Sequence, residues 1–141
     1  MKLSPASNYA VAGWGAESVR GANAVGSRAW TKRVIERPED WLALRPLGAD
    51  AGMQGQTLQA IRLLRAELGD DVPVLLTVFN PLAQAKYLAG EETLFEHLAR
   101  APEAVMTGLS LIAESTARFL QRSPAASLSH VKVPLDGGVA D

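Results

Sequence analysis

The sequence predicts an α/β protein of parallel strands and flanking helices, and two neighbouring segments carry that prediction. Val72–Phe79 is apolar at successive positions apart from Thr77, which is typical of a parallel strand covered on both faces. Just before this segment, apolar residues recur at the spacing of one helix face, at Leu58, Ile61, Leu64 and Leu68. A helix, a short connection and a buried strand form the repeating unit of such folds.

The amino-terminal part has weaker patterns. Met1–Pro5 is predicted to contain the last few residues of a strand, and Thr31–Ile35 to form a brief extended segment. Ala6–Gly26 contains several glycines and no sustained period, so it is predicted to be a long loop. Trp14 and Trp30 are interpreted as packing residues of this region.

Two helices are predicted between this region and the buried strand. Pro38, followed by two acidic residues, is typical of a helix start, and Trp41, Leu42 and Leu44 are expected to bury its apolar side. The second helix spans Gly55–Leu68, with the next residue, a glycine, as its cap.

The strand is expected to turn directly into another helix. Asn80 can accept hydrogen bonds from the first free backbone amides, and Pro81 supplies a preset φ at the first helical position. Further helices are predicted over Glu92–Arg100 and Glu103–Arg122. The longer of these two has one apolar stripe, formed by Val105, Leu109, Ile112, Thr116 and Phe119.

The pattern changes after Ser123. His130–Leu135 is predicted as a short extended piece, but Lys132 and Pro134 make it a poor candidate for the buried strand that should follow a long helix. The architecture is therefore expected to be cut short.

Composition excludes several classes of function. The formal net charge is −1, and basic residues alternate with acidic ones, so neither nucleic acid nor a membrane is expected as a partner. The chain has no cysteine, which excludes disulfides and cysteine-ligated zinc. Because no signal peptide or spanning segment is visible, a cytoplasmic location is the expectation.

Asn80 and Tyr87 are the notable polar groups after the strand. Seven residues of helix turn through about 700°, so the two side chains are expected on nearly one face, where they could line a cleft. The alternative is that Asn80 only caps the helix and Tyr87 only packs. His97 and His130 lack partners at metal-ligand spacing, so no metal site is expected.

Several segments, in order, resemble the middle of the uroporphyrinogen decarboxylase family. They are VPVLLTVFNPLAQAKYLAG and EHLARAPEAVMTGLSLIAESTARFL, preceded by RVIERPEDWLAL and LQAIRLLRAELGDDVP. The resemblance covers about Met1–Ser123. Members are (β/α)₈ barrels, so it implies a partial TIM-barrel-like segment over 1–123 and a divergent carboxyl-terminal tail over 124–141.

The resemblance also implies a function and site residues. The family decarboxylates acetate side chains of uroporphyrinogen, in tetrapyrrole biosynthesis, without a metal or organic cofactor, so the implied partner is a porphyrinogen-like small molecule. Tyr87 matches a family tyrosine that positions the reacting side chain. It is the one family site residue that carries over to this chain. By their position, Phe79 and Asn80 at the strand end, with Ser4 and Ser7 after the earlier strand, are candidate substrate-binding residues.

One departure bears on turnover. The family relies on an aspartate that stabilises positive charge as carbon dioxide leaves, whereas this chain has no acid among residues 4–7. The expectation is a truncated, inactive member. The alternatives are a small-molecule-binding or self-assembling fragment, a relative of the methyltransferase branch, or half of an enzyme completed by a second polypeptide. Open strand edges make a homo-oligomer a further expectation.

Overall fold

The computed structural model describes residues 1–21, 28–48 and 50–123, and the backbone of residues 127–132. Two short 3₁₀ turns, Ser7–Ala10 and Ala12–Trp14, follow the first strand. In chain order, the strands and α-helices are β1 (Lys2–Leu3), β2 (Glu17–Arg20), β3 (Arg28–Lys32), α1 (Pro38–Ala43), α2 (Gly52–Leu68), β4 (Leu75–Phe79), α3 (Pro81–Ala89), α4 (Glu91–Arg100), α5 (Pro102–Arg122) and β5 (Ser127–Lys132).

Three parallel strands form the main sheet, in the order β1-β4-β5. Leu3 of β1 lies opposite Leu76 of β4, and Val131 of β5 lies opposite Val78 of β4. All residues of β4 except Leu75 are buried, as predicted for a strand covered on both faces. The mixed α/β class is therefore confirmed, with helices flanking a parallel sheet.

The strand β4 begins three residues later than predicted. The residues just before β4 still lie alongside the start of β1, because the Met1 amine donates to the Pro73 carbonyl at 2.9 Å. The Leu75 amide then donates to the Met1 carbonyl at 2.8 Å. Pro73 has no N–H, so regular ladder pairing starts only beyond it.

The loop prediction for Ala6–Gly26 is wrong in its described part. This region holds the two 3₁₀ turns and β2, which pairs antiparallel with β3. Ser18 lies opposite Trp30, and the Arg28 side chain donates to the Ser18 hydroxyl at 3.0 Å. Cross-strand partners, rather than an apolar period, define this hairpin, so a single-strand pattern could not reveal it. Residues 22–27 lie outside the described part.

The predicted start of α1 is confirmed, but its predicted apolar side is only partly correct. Trp41 and Leu44 are buried, whereas Leu42 is 52% exposed. Neighbouring helical residues point about 100° apart, so the burial of Trp41 turns Leu42 towards solvent. Helix α2 starts at Gly52, before the predicted Gly55, and ends as predicted at the glycine in position 69, which has φ +73°.

Helix α5 packs its apolar stripe into the core. Val105, Ile112 and Phe119 are buried, while the other two stripe positions are half-buried. Gly108 lies on the same side, where an added Cβ would be 2.6 Å from the Trp41 ring. The absence of a side chain at this position lets α5 approach α1 closely.

The prediction that the tail is a poor partner for the sheet is wrong for its described backbone. Ser127–Lys132 pairs in parallel with β4. Ladder hydrogen bonds need only backbone groups, so Lys132 at the end of the strand does not prevent pairing. Pro134 and the rest of the predicted His130–Leu135 segment beyond Lys132 lie outside the described residues. Across the described ranges, no helix is long and apolar enough to cross a membrane.

Candidate functional site

The carboxyl end of β4 is held against the end of β1 by side-chain hydrogen bonds. The Ser4 and Thr77 hydroxyl oxygens lie 3.1 Å apart, and the buried Tyr9 hydroxyl donates to the Thr77 carbonyl at 2.9 Å. Ser4 and Thr77 are 73 residues apart in sequence. Ser4 therefore lies at the predicted edge, where it pairs with a strand residue.

Asn80 caps α3, as one of the two interpretations of this residue requires. Its Oδ1 accepts from the Ala83 amide at 2.8 Å, and Pro81 occupies the first turn. This bond stabilises the helix start by about 1 kcal/mol. Since Oδ1 is engaged, the Nδ2 group is the part of Asn80 that could donate to a ligand.

The buried side chain of Gln84 also holds the junction of β4 and α3. Gln84 Nε2 donates to the Phe79 carbonyl at 2.8 Å and to the Thr116 hydroxyl at 2.9 Å. The end of β4 is thereby tied to both α3 and α5. A site at this corner stands on three elements fixed to one another, which favours a constant geometry.

Tyr87 contacts two aromatic rings. Its ring meets Phe79 edge-to-face, with centroids 5.6 Å apart and planes at 81°. It also stacks on Trp30, with centroids 5.2 Å apart and planes at 19°. Trp30 and Tyr87 are half-buried, whereas Phe79 is buried. Burial raises the pKa of the Tyr87 phenol, so at neutral pH it remains a hydrogen-bond donor.

Aromatic contacts continue from this pair into the core. Phe79 also touches Tyr9, with ring centroids 6.2 Å apart, and Tyr9 touches Phe119 at 5.9 Å. The rings thus form a continuous series from the half-buried Trp30 to the buried face of α5. Each such pair contributes about 0.5–1.5 kcal/mol beyond area burial.

Two residues of this site are not predicted from the sequence. Trp30 is interpreted there only as a packing residue and no motif marks Arg33, yet Arg33 Nη1 donates to the Tyr87 carbonyl at 2.7 Å. Its guanidinium carbon also lies 5.3 Å from the Trp30 ring centroid. The one available signal is the spacing of Trp30 and Arg33 around a short extended segment, which does not identify Tyr87 as a partner, 54 residues beyond Arg33.

The predicted site residues do not all come together. Phe79 is in direct ring contact with Tyr87, and Ser4 reaches the same strand through Thr77. Ser7 starts the first 3₁₀ turn and is half-buried. Among the described residues, no hydrogen bond or ring contact joins Ser7 or Asn80 to Tyr87.

The described residues offer no metal site. No group of three or more histidine, cysteine, aspartate or glutamate side chains lies close enough to hold an ion within that part of the chain. His97 is buried, and its Nδ1 accepts a hydrogen bond from Trp41 Nε1 at 2.9 Å. This histidine therefore has a packing role in the core.

A protein-family model matches most of the chain. The model described as "Uroporphyrinogen decarboxylase (URO-D)" matches residues 24–127, which is more than half of the 141 residues. The chain belongs to the uroporphyrinogen decarboxylase family. A search of curated proteins found no match.

The family match covers much of the aromatic site. Trp30, Phe79 and Tyr87 lie inside the matched range, and so does the capping residue Asn80. Ser4 and Ser7 lie before it. The ring contacts of Trp30, Phe79 and Tyr87 thus lie within the matched range, at the junction of β4 and α3.

Proposed function

We propose that the carboxyl end of β4 is a substrate-binding wall of a uroporphyrinogen decarboxylase-type (β/α)₈ barrel, and that its ligand is a porphyrinogen-like tetrapyrrole. The observation that carries the proposal is the stack of Trp30 on Tyr87, braced by Phe79. The half-buried indole and phenol faces lie at the strand end, where parallel α/β folds bind ligands.

The chemistry of these rings suits this ligand class. A porphyrinogen presents flat pyrrole rings with N–H donors, surrounded by carboxylate side chains. Aromatic faces accept such rings by stacking and by edge-to-face contact. The protonated Tyr87 phenol can donate to a carboxylate, a bond stronger than one between neutral groups.

We propose further that this wall binds without decarboxylating. Loss of carbon dioxide needs a group that stabilises the positive charge developing on the pyrrole. The side chains described at the end of β4 are hydroxyls, an amide and aromatic rings: Ser4, Thr77, Phe79, Asn80 and Tyr87. A neutral phenol and neutral hydroxyls can orient the substrate, but they do not supply the negative charge that would stabilise the positively charged pyrrole.

Binding can be tested with uroporphyrin, the air-stable oxidised form of the substrate. Titration should quench tryptophan fluorescence and give a saturable curve. Trp30→Ala should weaken binding by up to about tenfold, the size of one lost aromatic contact. Tyr87→Phe keeps the ring stack and should weaken binding less.

Phe95→Ala is the matched control, because Phe95 is an aromatic residue of α4 that is 59% exposed. If porphyrin merely adheres to exposed rings, Phe95→Ala and Trp30→Ala will weaken binding equally, and the proposal fails. Unchanged affinity in Trp30→Ala would contradict it as well.

Turnover is a separate measurement. Uroporphyrinogen incubated anaerobically with the protein should yield no product with fewer carboxyl groups by chromatography. Robust decarboxylation would overturn the proposal of binding without turnover and leave the binding site itself intact.

A further inference from the structure

The Arg33 side chain contacts both the ring that covers Tyr87 and the backbone of Tyr87 itself. Its Nη1 donates to the Tyr87 carbonyl at 2.7 Å and to the Lys86 carbonyl at 3.4 Å. The guanidinium carbon lies 5.3 Å from the Trp30 ring centroid, and Trp30 stacks on Tyr87. One side chain therefore links β3, which carries Trp30, to the last turn of α3.

The backbone next to Arg33 is fixed to the same turn. The Val34 and Ile35 amides donate to the Leu88 carbonyl at 2.9 and 3.1 Å. The last carbonyls of a helix have no partner within the helix and attract positive charge. Gly90, with φ +89°, ends the helix, and an added Cβ there would be in ordinary van der Waals contact with the guanidinium, at 3.7 Å.

Arg33 has no carboxylate partner among the ion pairs of the described residues. Its contacts are carbonyl oxygens and an indole face, and burial lowers its pKa. A planar guanidinium can stack on an aromatic ring while its N–H groups donate sideways. An ammonium cannot do both with the same geometry. The Arg33 guanidinium thus makes two contacts around Tyr87: one with the Tyr87 carbonyl and one with the Trp30 ring that stacks on Tyr87.

We propose that Arg33 is the positioning residue of the aromatic site: it holds Trp30 face-to-face on Tyr87 and so fixes the orientation of the phenol. The consequence for ligand binding rests on the proposed function. The arrangement of the three side chains does not depend on it, so the two can fail separately.

The first test follows ionisation of Tyr87 by NMR of ring-labelled tyrosine. The chain has two tyrosines, so Tyr87→Phe assigns the signals. In Arg33→Ala the Trp30 indole should no longer be held over Tyr87, so the phenol becomes more exposed to solvent. Tyr87 should then ionise at a lower pH than in the wild type. A merely structural role for Arg33, lowering overall stability, would not shift this midpoint in the folded protein.

Arg28→Ala is the matched control in the same hairpin. Arg28 donates to the Ser18 hydroxyl and carbonyl, both at 3.0 Å, so its loss weakens strand pairing without removing a contact to Tyr87. The Tyr87 midpoint should stay unchanged in this variant. Equal shifts in Arg28→Ala and Arg33→Ala would overturn the proposal, as would no shift in Arg33→Ala.

If Arg33→Ala does not fold, Arg33→Lys decides the question. Lysine keeps the charge but loses the planar stack, so a smaller shift in the same direction is expected. An unchanged Tyr87 midpoint in a folded Arg33→Lys protein would contradict the proposal.

The second test measures uroporphyrin affinity. Arg33→Ala should weaken binding no more than Trp30→Ala does. The double variant should be no weaker than Trp30→Ala alone, because both changes act through one ring. Additive losses would overturn the positioning role. If the wild type does not bind uroporphyrin, the proposed function fails, while Tyr87 ionisation still tests the role of Arg33.

Discussion

Trp41 and His97 form a buried hydrogen bond, with the indole Nε1 donating to the imidazole Nδ1 at 2.9 Å. Their rings also meet edge-to-face, with planes at 84°. The imidazole Nδ1 is therefore the acceptor that satisfies the buried indole N–H. The bond links α1 to α4, and α1 also packs on α5 at Gly108.

Removing the acceptor should therefore destabilise the protein. His97→Leu keeps an apolar side chain but leaves the buried indole N–H without a partner, which should cost about 1–3 kcal/mol. His97→Gln supplies a carbonyl oxygen and should lose less. Urea unfolding measures both values. Equal losses in the two variants would show that the acceptor is unimportant.

A second prediction concerns the contact of α5 with α1. Gly108→Ala would place a Cβ 2.6 Å from the Trp41 ring, so the gain in helix propensity should be outweighed by overpacking. We expect a net loss of about 1–3 kcal/mol in thermal or urea unfolding. Ser110→Ala, at an exposed position of the same helix, is the control and should change stability little. A stabilised Gly108→Ala protein would contradict the close packing.

Acid should weaken the start of α1. The Asp40 carboxylate accepts from the Glu36 and Arg37 amides, both at 2.9 Å, and these bonds lower its pKa. Because the pKa of Asp40 is lower in the folded protein than in the unfolded chain, the carboxylate stabilises the fold at pH values above the unfolded-chain pKa, near 4. This stabilisation is lost as pH falls through the folded-state pKa. The carboxylate is partly exposed, so its contribution should be only about 0.5–1 kcal/mol.

Asp40→Ala measures this contribution. The stability difference between wild type and variant should be largest near neutral pH and shrink below pH about 4. A difference that stays constant down to strong acid would show that the carboxylate charge is not involved. Glu39→Ala is the neighbouring control, since Glu39 is exposed in the same turn.

Alkali should weaken the fold through the two tyrosines. Burial raises the pKa of both Tyr9 and Tyr87, so the folded state holds these protons more tightly than the unfolded chain. Their contribution to stability is full below pH about 10 and is lost as pH rises above it. Absorbance at 295 nm should show delayed ionisation in the folded protein compared with the urea-unfolded chain.

Tyr9→Phe separates the two groups. It removes the hydroxyl that donates to the Thr77 carbonyl, which should cost about 1–2 kcal/mol, and it leaves Tyr87 as the one titrating phenol. Ionisation of both tyrosines near pH 10 in the folded wild type would contradict the burial of these rings.

The local elements of the fold were predictable because each depends on neighbours in sequence. Asn80 and Pro81 start α3 through a bond to an amide three residues away, and Gly69 ends α2 through its own backbone conformation. The apolar run of β4 also identified a strand buried on both faces. Such signals depend on the residues of one turn or one strand, so they can be read without knowledge of the tertiary contacts.

The site was only partly predictable. Phe79, Asn80 and Tyr87 follow from the strand-to-helix corner, and the Phe79–Tyr87 ring contact joins two residues of one βα unit. Trp30 and Arg33 could not be found in this way, because the hairpin that carries them is defined by pairing between β2 and β3. Nothing in their immediate sequence indicates that they contact Tyr87, which lies 54 residues beyond Arg33.

By itself, then, the sequence determined the α/β class, the helices, the buried strand and the corner at Asn80, since propensity, capping and apolar spacing act over a few residues. Only the tertiary structure decided that Trp30 covers Tyr87, that Arg33 bridges them, and that Ser4 pairs with Thr77. These contacts join segments far apart in the chain, and their geometry arises from packing of the whole sheet and its helices rather than from any local preference.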